Sequence, residues 1–261
     1  MTAQKHWDVL VSELKQFSEE SNHNKFVIGI SGGFDSALVA TLAAEVVGHE
    51  NVLGVSMPSK YTSEESIFDG QILCEWLGME LREIPIESIV NGFQQALPLE
   101  GIAAENLQAR VRGTLLMGIA NTEHRVVLAT GNLSEILTGY CTMYGDTVGG
   151  FAPLGSSLKS ECYEVAEWLN EDQPRIPENI LRKPPSAELA PGQKDSDSLP
   201  PYDILDKILT GYLAGTSPNR LRTAFGVVEV DGVLSRIGNS AWKRNQLPPA
   251  PSREAIEKSL V

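Results

Sequence analysis

Apolar residues recur at helical spacing near the start of the chain. Trp7, Leu10, Val11, Leu14 and Phe17 share one face and predict an opening helix within residues 1–24. The period then changes. Residues 25–31 (KFVIGIS) form a short, unbroken apolar run rich in β-branched side chains and closed by Gly32-Gly33, which predicts a buried strand. Residues 36–48 predict a helix that stops at Gly48. A strand over 51–57 follows, then a helix over 63–78 with Ser63 as its cap and Gly78 as its stop. Further strands are expected over 80–86 and 125–130, with a long helix from Glu105 to Asn121 between them. Strands that alternate with helices, and that lack polar alternation, predict a doubly wound parallel α/β sheet covered on both faces.

Beyond residue 150 the pattern loosens. Leu158 to Asn170 reads as a helix, and three short helical patterns follow near 202–213, 217–226 and 229–245. Between them, residues 173–201 hold Pro174, Pro177, Pro184, Pro185, Pro191, Pro200 and Pro201, too many for regular structure. Composition alone reads this stretch equally well as a linker or as a long functional loop lying across a site.

Composition narrows the field of ligands. Of 261 residues, 42% are hydrophobic, enough for a sizeable core, and the formal net charge is −13. A field of that sign repels nucleic acid and anionic membrane, so neither is expected as a partner. No apolar run approaches the roughly 20 residues of a membrane span, and the N-terminus is amphipathic rather than a basic-then-apolar leader. Cys74, Cys141 and Cys162, with four scattered histidines, show no metal-ligand spacing. They predict free thiols in a reducing, cytoplasmic setting.

The first candidate chemistry is Gly29-Ile30-Ser31-Gly32-Gly33-Phe34-Asp35-Ser36, at the end of the first strand and running straight into a helix. Glycines let the backbone approach an oxyanion, the helix N-terminus offers free N–H groups, and the serines add donors. The same residues suit an ordinary tight turn, and neither a Walker A loop nor a Gly-x-Gly-x-x-Gly pattern is present. Asp35 changes the balance, because a carboxylate in an anion-binding turn repels phosphate unless a divalent cation lies between them. The second constellation runs from Ala129-Thr130-Gly131-Asn132-Leu133-Ser134-Glu135 to Gly139-Tyr140-Cys141-Thr142-Met143-Tyr144-Gly145-Asp146. Ser31 and Thr130 stand at strand carboxyl ends, the edge where open α/β sheets bind ligands. Glu135, in the first turn of the next helix, can face the same crevice.

Ser-Gly-Gly-x-Asp-Ser resembles the pyrophosphate loop of the ATP pyrophosphatase superfamily. The wider chain resembles NAD synthetases, which amidate nicotinic acid adenine dinucleotide (deamido-NAD). Residues 105–112 (ENLQARVR) are similar to that family's Asn-x-x-Ala-Arg-x-Arg helix. Residues 183–189 (KPPSAEL) and 197–202 (DSLPPY) look like its second substrate loop, and 243–249 (KRNQLPP) like its C-terminal basic segment. The resemblance spans roughly residues 24 to 250 and turns the 173–201 reading towards a substrate loop.

What the resemblance implies is specific. The fold would be Rossmann-like, of the adenine-nucleotide alpha hydrolase type, with extra C-terminal helices. Residues 1–261 would be one NAD synthetase domain, with an N-terminal helix (1–24), an α/β core (25–170), a substrate loop (171–201) and C-terminal helices (202–261). ATP, the co-substrate, would meet Gly29, Ile30, Ser31, Gly32, Gly33, Phe34, Asp35 and Ser36, together with Thr130, Lys159 and Ser186. Asp35 and Glu135 would ligate Mg²⁺, and Lys159 would stabilise the departing pyrophosphate. Asn106, Arg110, Glu135, Asp146, Lys243 and Arg244 would contact deamido-NAD. Asn106 and Arg110 are four apart on one helix and share a face. Arg112 points elsewhere and reads as structural or at a subunit contact.

Many ammonia-using relatives carry Lys at the position of Met143 and an acidic residue near Gly150. Here Met143-Tyr144-Gly145-Asp146 and Gly149-Gly150-Phe151-Ala152-Pro153 look more like the synthetase half of glutamine-dependent enzymes. With about 24 residues before the first strand, no glutaminase domain is expected, so ammonia would be the donor, with a separate glutaminase subunit as a partner. A homodimer is also expected, because Leu107, Val111, Leu115, Leu116 and Ile119 spread around the 105–121 helix. Two other readings stay open: another adenylating enzyme on the same loop (GMP synthetase-like or tRNA-modifying), and a nucleotide-binding subunit without turnover.

Overall fold

The computed structural model describes residues 2–260. Four strands, β1 (Phe26–Gly29), β2 (Val52–Ser56), β3 (Glu80–Glu83) and β4 (Val126–Val127), form one parallel sheet in the order β3-β2-β1-β4. Phe26 stands opposite Val52 on one side and Val126 on the other. Parallel neighbours need crossovers, and helices supply them. The crossovers are α2 (Phe34–Val47), α3 (Glu64–Leu77), and α4 (Glu87–Ala96) with α5 (Ile102–Glu123); α1 (Thr2–Ser21) precedes β1, and α6 (Leu133–Thr138), α7 (Lys159–Leu169) and α8 (Glu178–Arg182) follow β4. After the proline-rich stretch come α9 (Tyr202–Leu213), α10 (Pro218–Phe225), α11 (Val227–Asn239), α12 (Ala241–Arg244) and α13 (Arg253–Ser259). Among the described residues no helix is long and apolar enough to cross a membrane.

The sheet is doubly wound, as its apolar strands require. On one face Phe26, Ile28 and Val52 pack with α1, α2, α7 and α13 through Leu10, Leu14, Leu38, Leu42, Val165 and Ile256. On the other, Val27, Leu53 and Val55 meet Leu107, Val111 and Leu116 of α5. A third cluster, around Leu137, Leu205, Ile208, Leu209, Val233 and Ile237, joins α6 to the C-terminal helices. The chain runs from β1 outward to β3 and returns to β4 on the other side of β1. The carboxyl ends of β1 and β4 therefore flank the point where strand order reverses, and a crevice opens there.

Ser63 accepts from the Ser66 N–H and Gly78 takes a left-handed conformation, so α3 begins and ends as its sequence predicts. Other expectations need correction. Only Val126–Val127 of the expected 125–130 strand pair with β1, and Leu128 bridges Phe151 instead. β3 is an edge strand with Glu80 and Glu83 exposed, not a doubly covered one. The 229–245 pattern splits at Ser240 into α11 and α12, and the proline-rich segment contains α8. The apolar circumference of α5 serves its own chain: Leu107, Val111 and Leu116 are buried beneath the sheet, and Leu115 and Ile119 pack against them. That removes the argument for a subunit partner on those residues. Apolar side chains are instead exposed beside them, at Phe93, Leu97 and Ile102.

Candidate functional site

The crevice floor is the loop from β1 into α2. Ile30 is buried, and its N–H donates to the Val55 carbonyl, extending the strand geometry by one residue (2.9 Å). The chain then turns at Gly32, with φ of +74°. A Cβ there would lie 1.9 Å from the Ser66 carbonyl oxygen, so only glycine lets α3 close on this loop. Ser31 and Ser36 brace the turn. The Gly33 N–H donates to Ser31 Oγ (3.1 Å), and Ser36 Oγ donates to the Gly33 carbonyl (3.0 Å). Gly33, at the N-cap of α2, supplies no side-chain cap, which leaves first-turn N–H groups for an anion.

Asp35 stands in that first turn with its two oxygens differently engaged. Asn132 Nδ2 donates to Oδ1 (3.0 Å), and the Lys159 ammonium pairs with Oδ2. Asn132 is also the N-cap of α6. Its side chain accepts from the Glu135 N–H (3.1 Å), while Glu135 Oε2 accepts from the Asn132 N–H (3.3 Å). This reciprocal capping box fixes Glu135 beside Asp35. Burial, and then the neighbouring Asp35 charge, push the Glu135 carboxyl well above its ordinary range. Burial works against the Lys159 ammonium, but Asp35 and Glu135 outweigh it and hold the lysine above its usual value. Lys159 is thus a fixed cation. The rings of Phe34 and Tyr202 surround its Nζ at 5.1 and 5.3 Å.

Two neighbouring carboxylates beside an anion-binding turn, with Glu135 held by its capping box next to Asp35, suit a hard divalent cation that takes few protein ligands. Among the described residues no cluster of three or more His, Cys, Asp or Glu gathers as a metal site. Asp35 and Glu135 are the donor set that fits.

The wall opposite is α5 with the 139–150 turn. Asn106 Oδ1 accepts from Thr142 Oγ1 (2.6 Å), and Arg110 Nε donates to the Met143 carbonyl (3.2 Å). Their shared face does meet the crevice loop. Arg112 donates to the Met57 carbonyl (3.0 Å) under the sheet edge and is structural. Met143 is buried, and a Cβ at Gly150 would lie 2.6 Å from Val126 Cγ1, so no side chain fits there without a shift. Asp146 accepts from the Thr142 N–H (2.6 Å); burial pushes its carboxyl up to about 6, against the lowering effect of its backbone hydrogen bonds and Lys243. Lys243 Nζ donates to the carbonyls of Gly139 (2.8 Å) and Cys141 (2.6 Å). Arg244 turns away. It donates to the carbonyls of Leu137 and Ile237, closing the ends of α6 and α11.

The proline-rich segment lies across α3. Lys183 Nζ pairs with Asp69 (2.8 Å), and Glu188 accepts from the hydroxyls of Ser63 and Ser66 (both 2.8 Å). Ser186 is exposed and donates to the Gln193 carbonyl of its own loop (2.5 Å). Further on, Asp195 is buried and accepts from the hydroxyls of Tyr140 (3.0 Å) and Tyr202 (2.9 Å).

The structure therefore gathers the Gly29–Ser36 loop, Lys159 and Glu135 at one point, while Thr130 lies in the irregular segment after β4, three residues beyond its end. It puts Asn106, Arg110, Asp146 and Lys243 around the 139–146 turn. Asn132, Lys183, Glu188, Asp195 and Tyr202 were not singled out by sequence, although each lies in a motif noted above or beside one. The spacing Asn132-x-x-Glu135 is a capping-box signature that could have found the first.

The NAD synthase family profile matches residues 6–247. Among curated relatives, a glutamine-dependent NAD(+) synthetase of Synechocystis is 46% identical over 252 residues, 93% of this chain and 45% of that protein. One from Thermotoga maritima is 44% identical over 91% of this chain and 43% of its own length. The chain thus spans a little under half the length of these relatives. Among solved structures, the NMN synthetase from Francisella tularensis aligns with a TM-score of 0.81 at 28% identity, covering 94% of this chain and 96% of that one. The NH3-dependent NAD synthetase from Campylobacter jejuni, in complex with nitrate, gives 0.79 at 28% identity, over 95% and 98%.

Proposed function

The chain belongs to the NAD synthase family, and from that premise we propose that it amidates deamido-NAD to NAD, with ATP as co-substrate and ammonia as nitrogen donor. The observation that carries this reading is the fixed Lys159–Asp35 pair beside Glu135 above the β1 loop. A nicotinate carboxylate oxygen attacks the α-phosphorus of ATP, and the bond to the β-phosphate oxygen breaks. Acyl adenylate forms and pyrophosphate leaves. Ammonia then attacks the acyl carbon, AMP departs with the bridging oxygen, and the added nitrogen loses a proton.

In this scheme the chain supplies position and charge rather than a side-chain nucleophile. N–H groups at the start of α2, with Ser31 and Ser36, hold the terminal phosphates. Lys159, held protonated, neutralises charge on the leaving pyrophosphate. Asn106, Arg110, Asp146 and Lys243 frame the dinucleotide, and the 171–201 loop covers it, with Ser186 reaching ATP on closure. Asp35 and Glu135 would hold Mg²⁺, which when bound would offset phosphate charge.

All three thiols are unpaired and pushed up, Cys74 and Cys141 to about 12 and Cys162 well above its usual value, chiefly by burial. A glutaminase nucleophile needs an accessible thiolate, so free ammonia is the direct donor for this chain, and a separate glutaminase would be the partner that delivers it. Reduced thiols suit the cytoplasm. The exposed Phe93, Leu97 and Ile102 favour a homodimer through α4 and the start of α5; a sedimentation mass of one chain at micromolar concentration would refute that.

The test is to incubate the purified chain with ATP, deamido-NAD and Mg²⁺, supplying ammonium or ammonia-free glutamine. Equimolar AMP and NAD from ammonium support the reading. ADP release, or no NAD from ammonium, removes it.

A further inference from the structure

Asp206 is a buried carboxylate with no assigned part in the proposed reaction, and among the described residues it forms no ion pair, its oxygens being taken by an N–H and a hydroxyl. Buried carboxylates are uncommon, and this one is satisfied entirely by a helix start and a hydroxyl. Oδ2 accepts the Ser160 N–H (2.7 Å), and Oδ1 accepts the Ser134 hydroxyl (2.5 Å). Ser134 Oγ in turn accepts the Lys159 N–H (2.9 Å). The first backbone donors of α7 are therefore consumed inside the protein, and Lys159 can serve a ligand only through its ammonium. One turn earlier on α9, and so on the same face, the Tyr202 ring lies against that ammonium. Its hydroxyl is fixed by Asp195 of the proline-rich loop (2.9 Å), whose N–H donates to the Pro185 carbonyl (3.1 Å).

We propose that α9 grips Lys159 at both ends, Asp206 fixing its backbone through Ser134 and Ser160, and Tyr202 fixing its ammonium under the control of the substrate loop. Asp206 and Tyr202 are positioning residues: neither touches the reacting atoms, and both act through Lys159. The grip also ties three elements to one another. α6 carries Glu135, α7 carries Lys159, and α9 starts where the substrate loop ends, so settling the loop through Asp195 settles the cation.

The proposal rests on the catalytic role given to Lys159, so its test has one arm that ignores the reaction. Lysine amines are reductively methylated in the intact protein, and each site is read by peptide mass spectrometry. In wild type Lys159 should react slowest. Asp206→Ala should raise its rate about tenfold by local opening, while Lys183 and the exposed Lys258 keep theirs. If every lysine speeds up, Asp206→Ala has unfolded the chain, and Ser134→Ala, which removes one hydroxyl, decides by the same criterion. An unchanged Lys159 rate in the folded variant overturns the grip.

In the kinetic arm Asp206→Ala should lower kcat for AMP release about 10²-fold with the KM for ATP nearly unchanged, the effect of a misplaced group. Asp206→Asn, which keeps an acceptor for the Ser160 N–H, should recover most of it. In a Lys159→Met background Asp206→Ala should change the residual rate less than about twofold, because both act through one group. An equal fall in both backgrounds overturns the proposal. A wild type that makes no NAD overturns the proposed function alone and leaves the labelling result to stand.

Discussion

Two lysine–carboxylate pairs join distant parts of this chain, and they are built in opposite ways. In the crevice Lys159 is 2% exposed while its partner Asp35 is 19% exposed. In the clasp between α3 and the proline-rich segment, Lys183 is 16% exposed and Asp69 only 5%. Asp69 is saturated, since Asn179 donates to both of its oxygens (3.0 and 2.9 Å) and Lys183 adds a third bond (2.8 Å). Asp35 has one protein donor on each oxygen and keeps acceptor capacity towards the crevice. The same pair of functional groups is a staple where the carboxylate is buried and full. Where the lysine is buried and the carboxylate stays partly open, it becomes a site.

The largest difference between them should appear on mutation. Lys159→Met or Asp35→Asn should lower AMP release by about 10³-fold, the scale of removing a preorganised charge-stabilising group. Lys183→Met should leave kcat within about tenfold and act through loop closure. Comparable losses of kcat in the two pairs would erase the distinction drawn here.

Acid should separate the regions next. His6 of α1 is buried, with Nε2 2.8 Å from the hydroxyl of Ser157, two residues before Lys159. Burial lowers its pKa from 6.5 to about 4, and Arg253 adds to this while Glu161 opposes it. The unfolded chain therefore binds a proton that the native one refuses between pH 6.5 and 4. The stability of neutral His6 is fully present above the unfolded pKa and is lost as pH falls towards the folded one, up to about 3 kcal/mol in all. His6→Gln should flatten the fall of denaturation midpoint with acid relative to wild type; parallel curves would contradict the burial account.

The smallest effect belongs to the staple. Loosening it with Lys183→Met should raise protease cutting within 184–194 about tenfold, the measure of a local opening of some 1.4 kcal/mol. Saturating ATP and deamido-NAD should slow that cutting in wild type. Cutting that ignores both the variant and the ligands would show that the clasp does not hold the loop.

How much of this was legible in the sequence depended on the range of the interaction. Strand β1, its glycine turn and α2 are dictated by neighbouring residues, and so are the ends of α3 at Ser63 and Gly78. The short α4, α8 and α13 were not legible, since each depends on tertiary contacts more than on its own periodicity. Arg244 reads as a ligand cation because it adjoins Lys243, yet it reaches helix-end carbonyls that only folding brings near. The apolar ring of α5 reads as a subunit surface because the sequence does not tell that the underside of the sheet consumes it. Asp206 was invisible for the same reason: Ser134 lies 72 residues away along the chain.

The central claim is that the β1 loop and Lys159 promote attack by a carboxylate oxygen on the α-phosphorus of ATP. Deamido-NAD labelled with ¹⁸O in the nicotinate carboxyl tests it most directly, with ammonium and ATP present and the products read by mass spectrometry. The account predicts one labelled oxygen in each AMP released and the other in the amide of NAD. Unlabelled AMP, or label in the pyrophosphate, would contradict it.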